Sequence, residues 1–480
     1  MSLVRLRKII WLALLLALLC ERQAAAYSLL THEQLIDLTW KESIVPLLLN
    51  HYPNLTPAQL DEARAYAYGG CVIQDIGYYP FGDVSYSNLT HYVRSGDFVV
   101  NLFRNAQNAN ELAFAVGALS HYVGDSIGHS QATNIVVPVE FPKLRKKYGP
   151  VVSYAEGKHE HVQTEFGFDI EEITHRRMAP VHYLRHIGLR VPVRQLALAY
   201  YQTYGITEKF SGGRVRRFNV PGYRFAVHTF IPRIAYAVTL LHRHHEPADP
   251  NTPEALEFEN EVAAVAADEN WQLYRRKAGI GTYALAGLIF VIPKFGPLKL
   301  AAVKDPTEST EGDYIHSVVL STVVLRRILG RFTPPSSTHK LAPNTNASNA
   351  HAARSPVQVS PGDSAAAAQD LLQSHDPRHP LPDRDLDTGR VVQPGGYSLT
   401  DSTYADLLHR LTRHPDQPIP PGIKENILAY YANPDLPITT KKDPKKWAQV
   451  QADLETLKAM PTSSEPQPFP TYGDDAPASE

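Results

Sequence analysis

His121 and Asp125 stand four residues apart, and His129 follows four residues later. On a helix that spacing puts side chains on one face, with the third rotated only modestly from the first. Imidazole nitrogens and carboxylate oxygens are donors that zinc prefers, and a catalytic ion keeps one position open for water. His161 and Glu165 repeat the spacing on a separate predicted helix. One such pair is more often a surface pair or a satisfied interior histidine. Two pairs plus His129, all between positions 121 and 165, argue for a metal site. No Gly-x-Ser-x-Gly sequence or cysteine arrangement points to a protein nucleophile instead.

Other donors are less telling on their own. His32 stands early in the chain, and Asp75 and His91 flank a Tyr/Gly-rich stretch. His91 fits a polar helix face and Asp75 a helix-end cap equally well. His159 rivals His161, but only His161 has a carboxylate four residues later. His242, His244 and His245 read as a solvated helix end.

The elements that must position these residues are helical. Thr31 with Gln34 has capping-box spacing ahead of the apolar series Leu35, Ile36, Leu38, Ile44, Leu47 and Leu48. Thr56-Pro57-Ala58-Gln59 repeats that signal and opens a helix towards Cys71. Tyr78–Ser87 is turn-rich, and a further helix is expected from about Asn110 to Tyr122. No series of alternating strands appears, so the fold class is all-α. Tyr283–Ile292 is almost wholly apolar and ends at Pro293, too short to span a bilayer. It reads either as a buried core helix or as an element that touches a membrane.

The chain has 480 residues, 43% of them apolar, and a net charge of −2. The length and apolar share allow a substantial core, and the neutral balance gives no electrostatic case for nucleic-acid binding. Arg5, Arg7 and Lys8, the apolar run Ile9–Leu19 and Ala24-Ala25-Ala26 form a signal-peptide pattern. The expectation is an exported protein, secreted or periplasmic, whose mature chain starts at Tyr27 with no transmembrane helix. Cys20 leaves with the signal and Cys71 is then alone, so no intrachain disulfide is expected. The predicted organisation is a signal over 1–26, a catalytic domain over 27–332 and a disordered Pro/Ser/Ala-rich linker over 333–395. A small helical module over 396–462 and a disordered tail over 463–480 complete it.

Taken in order, Tyr27, His32, Asp75, His91, His121, Asp125, His129, His161 and Glu165 resemble the zinc-dependent phospholipase C family, or phospholipase C/D domain, whose relatives include S1/P1-type nucleases. The resemblance spans roughly residues 27–245. It implies three Zn2+ ions. Asp75, His91, His121 and Asp125 would hold the first. Asp125 would bridge to a second, held also by His32 and by the amine and carbonyl of Tyr27. His129, His161 and Glu165 would hold the third. It further implies attack of metal-activated water on a phosphodiester, with Asp75 as the base or orienter of that water. Classical members begin the mature chain with tryptophan, and this chain would begin with Tyr27; backbone ligation tolerates the change. The leading expectation is therefore a phospholipase C-like phosphodiesterase acting on phospholipid at a membrane surface. An S1/P1-type nuclease or nucleotidase is the alternative, and a non-catalytic zinc-stabilised binding protein the third reading.

Overall fold

The computed structural model describes residues 29–78, 82–206, 220–242, 250–291, 303–332 and 379–463. The signal pattern, Tyr27, His244, His245, most of the linker and the tail lie outside the described residues. The fold is all-α, as expected: among the described residues the only strands are β1 (Arg384–Asp385) and β2 (Arg390–Val391), paired antiparallel in one hairpin.

The helices that bear on the site are few. They run α1 (Leu29–Thr39), α2 (Pro57–Gly70), α3 (Val84–Tyr92), α4 (Ser95–Arg104), α5 (Ala109–Gly128), α6 (Asn134–Glu140) and α7 (Lys158–Thr174). Later come α8 (Val193–Tyr204), α9 (Ile231–His242), α10 (Ile280–Val291) and α11 (Glu308–Phe332). The C-terminal module contributes α12 (Ser398–Thr412), α13 (Pro421–Tyr430) and α14 (Pro444–Ala459).

Helix α5 runs through the centre of the core, buried on every face from Leu112 to Gly128. An all-round apolar helix of small residues (Ala113, Ala115, Gly117, Ala118) suits that position, because neighbours can approach its backbone from several sides. Helix α2 comes closest. A Cβ on Gly117 would lie 2.2 Å from the Ala67 carbonyl, and one on Gly70 would lie 2.1 Å from that of Phe114. Only glycine permits this contact, which sets the carbonyl end of α2 beside the middle of α5. The capping box at Thr56 and Gln59 forms as expected and starts α2 at Pro57.

The capping box expected at Thr31 and Gln34 does not form. Helix α1 begins at Leu29, which leaves Thr31 inside the first turn. Asp169 of α7 caps the helix instead: its carboxylate accepts the N–H groups of Leu30 and Thr31 at 3.2 Å and the Thr31 hydroxyl at 2.9 Å. Gln34 donates to Glu172 and to the Arg177 carbonyl. A tertiary carboxylate has replaced the local cap, and it ties α1 to α7. Arg177 bonds Glu172 at 2.6 Å and Glu311 at 2.7 Å, joining the end of α7 to α11.

Two further expectations need correction. The turn-rich stretch Tyr78–Ser87 is already helical from Val84, because Asp83 caps α3 by accepting the Ser85 N–H at 3.0 Å. The linker expected to be disordered over 333–395 is ordered in its final part, 379–395, where β1 packs against α3 and α4 and pairs with β2. Its polar residues find partners in the helical domain, which a composition count does not register. The module that follows is seated on the same body, α12 against α3 and α13 against α8.

Candidate metal centre

Three groups of buried donors lie close enough to hold metal ions: His32, His121 and Asp125; Asp75, His91 and His121; and His129, His161 and Glu165. His32 comes from α1, and Asp75 from a 3-10 turn, Ile73–Gly77, just past α2. His91 sits in the last turn of α3, His121 and Asp125 on α5, and His161 and Glu165 on α7. The stacked rings of His32 and His121, 4.2 Å apart, mark the contact of α1 with α5.

The separations fit shared metal ions. Donors held about 2.0–2.1 Å from one tetrahedral zinc lie roughly 3.3 Å from each other. His32 Nε2 is 3.2 Å from Asp125 Oδ1, while His121 Nε2 and His91 Nε2 are 3.1 and 3.4 Å from Asp125 Oδ2. His91 Nε2 is 3.3 Å from Asp75 Oδ1. The two oxygens of Asp125 thus face different partners, one towards His32 and the other towards His91 and His121.

The ring tautomers point the same way. A backbone carbonyl can only accept, so a ring nitrogen beside one carries the proton. His91 Nδ1 donates to the Ser87 carbonyl at 2.7 Å, and His121 Nδ1 to that of Cys71 at 3.0 Å. His129 Nδ1 donates to Leu386 and His161 Nε2 to Val152, each at 2.7 Å. In each neutral ring the other nitrogen presents a lone pair to the site, as metal ligands do. Between His91 and His121 the two inward Nε2 atoms are 3.4 Å apart. At that spacing a proton or a metal ion must lie between them, since two facing lone pairs would repel.

Charge tells the same story from the carboxylate side. Burial and then the nearby Asp125 and Asp75 push Glu165 well above the ordinary carboxyl range. Both of its oxygens are buried without a hydrogen-bond donor among the described residues, a costly arrangement that a divalent cation would relieve. Burial opposes ionisation of Asp125, but His121, His32 and His91 outweigh it and hold the carboxyl well below its usual range. His161 falls to about 3 through burial and the neighbouring His129, which keeps its ring neutral and able to ligate. His91 rises to about 10: burial opposes its charge, and Asp125 and Asp75 overcome that. Metal binding there would displace this proton. The donor set therefore fits zinc.

His129 departs from the straight-helix expectation. At that residue α5 widens into a π-helical turn, His129–Thr133, and the ring turns away from His121 and Asp125. Its Nε2 lies 3.6 Å from Glu165 Oε1, as does His161 Nδ1. His159 is exposed and takes no part. Tyr27 lies outside the described residues, two positions before the start of α1. Sequence reasoning missed Leu386 and Asp387 of the β1–β2 turn, which meet the centre from far along the chain. No spacing signal could have found them.

A buried centre of histidines and carboxylates carried on a bundle of helices supplies the donors that a metal site needs. Residues 31–211 match the family described as zinc dependent phospholipase C. The matched stretch holds every candidate ligand from His32 to Glu165. No curated protein and no solved structure matches the chain.

Proposed function

We propose that this chain is an exported zinc-dependent phosphodiesterase of phospholipase C type that hydrolyses phospholipid at a lipid surface. The observation that carries the reading is the set of buried imidazoles whose outer nitrogens are fixed by backbone carbonyls and whose inner nitrogens converge on buried carboxylates. In this reading Asp75, His91, His121 and Asp125 would hold one Zn2+, and Asp125 with His32 would hold a second. The mature amine of Tyr27 completes that second position, so signal removal is a condition of full loading. His129, His161 and Glu165 hold a third.

Zinc, when bound, makes a water acidic enough to react near neutral pH and neutralises phosphoryl charge. The chain's own residues do the rest. Asp75 would orient that water and accept its proton, and after in-line displacement at phosphorus it would return the proton to the departing diacylglycerol oxygen. The lipid preference draws support from α10. Its Ile280, Tyr283 and Phe290 are 91, 52 and 74% exposed, and the exposed Arg276 and Lys277 precede it. An apolar face beside cations suits an anionic lipid interface better than a nucleic acid strand.

One experiment tests the reading. The zinc-loaded mature protein is assayed on phosphatidylcholine and phosphatidylinositol vesicles and on single-stranded DNA, with and without a chelator. Lipid hydrolysis lost on chelation is expected. Hydrolysis of DNA alone would move the assignment to the nuclease relatives, and lost folding without any prior turnover would make the metal structural.

A further inference from the structure

The turn between β1 and β2, residues 386–389, lies outside the segment that matches the family, yet it touches two of the ligand groups. The Leu386 carbonyl accepts the His129 Nδ1 proton at 2.7 Å, and the Leu386 N–H donates to the His91 carbonyl at 3.1 Å. One buried residue thus joins His91, from one group, to His129, from another.

The turn is clamped from several helices. Asp387 Oδ2 accepts the hydroxyls of Tyr92 at 2.8 Å and Tyr397 at 2.6 Å, and its backbone carbonyl accepts Asn134 Nδ2 at 2.8 Å. Gly389 closes the turn at φ +67°, where a Cβ would lie 2.1 Å from the Ser126 carbonyl near the end of α5. Backbone conformation and contact each call for glycine there.

We infer that this turn is a positioning element of the metal centre, with Leu386 fixing the tautomer and direction of the His129 ring. The inference rests on the zinc reading of the site. Its physical basis is the choice facing His129 if Leu386 moves. A buried Nδ1–H without an acceptor is costly, so the ring would shift its proton to Nε2. That proton would then point at Glu165 and block the lone pair the metal needs.

The test uses the full chain in two forms, Gly389→Ala, which should displace the turn, and the gentler Asp387→Asn with Tyr397→Phe. Zinc content is measured across a series of zinc buffers, and the His129 tautomer is read by 15N resonance. The expected result is that one zinc per chain weakens by about ten- to a hundredfold while the others stay bound, with the His129 proton moved to Nε2 in the metal-free protein. If Gly389→Ala does not fold, the second form decides alone. Wild-type zinc affinities and an unchanged tautomer, with hydrogen exchange showing the turn loosened, would overturn the inference and leave the zinc reading intact. A wild-type protein that binds no zinc would overturn both.

Discussion

A buried histidine takes its tautomer from the hydrogen bond its outer nitrogen makes, and four rings of this site have that bond supplied by backbone carbonyls. Asp125 stands between the rings of His32, His91 and His121 with an oxygen towards each side. An amide at that position keeps one acceptor and replaces the other with a donor. Asp125→Asn should therefore lose at least one zinc per chain and lower turnover by about a hundredfold or more, since even outer-shell changes cost ten- to a hundredfold. Unchanged zinc content by elemental analysis would remove Asp125 from the bridging role. Outside the site, burial raises the Glu140 carboxyl to about 7, against the smaller lowering effects of the Thr164 hydroxyl at 2.5 Å and of Lys304. A raised carboxyl pKa favours the folded state while the group stays protonated. The contribution is whole below the ordinary carboxyl pKa and is lost as pH rises through about 7. Glu140→Gln mimics the protonated acid, so its stability relative to wild type should rise between pH 5 and pH 8.5 in denaturant titrations. A difference that is constant with pH would contradict this.

At the scale of elements, spacing found the helices but not every direction in which they point. The His-x-x-x-Asp and His-x-x-x-Glu pairs lie on α5 and α7 as the period of the helix requires. Spacing alone set His129 beside His121 and Asp125, whereas the family resemblance grouped it with His161 and Glu165; a π-helical turn changes the angle per residue just where it sits. The reading of 283–292 as a core helix holds for one face of α10, where Ala286 and Ile289 are buried, while Ile280, Tyr283 and Phe290 form an exposed apolar stripe on the other. No described helix is long and apolar enough to cross a membrane. Removing two large apolar groups from an interface forfeits about 1.5–3 kcal/mol each. Ile280→Ser with Phe290→Ser should weaken binding to anionic vesicles by at least about tenfold and leave hydrolysis of a soluble short-chain ester unaltered. Equal vesicle binding by flotation would remove α10 from the lipid contact.

Over the whole molecule, the amino-acid order alone was enough for the fold class, the helix start at Thr56-Pro57, the helix expected from about Asn110, and the donors that converge. Those features depend on local propensity and on a repeat of the helix, which neighbours along the chain carry within themselves. Residue spacing did not divide the donors; the family resemblance implied the division, and the tertiary structure shows its geometry. Asp125 faces both His32 on α1 and His91 on α3, and His129, at a π-helical turn, meets Glu165 on α7. Asp169 displaced the local cap of α1 from across the core. The last part of the linker, which by composition should stay unfolded, instead supplies the Leu386 carbonyl to His129 across more than 250 residues of chain. Contacts of that separation leave no periodic trace, because they are fixed by which surfaces meet after the helices have packed, not by any residue's immediate neighbours.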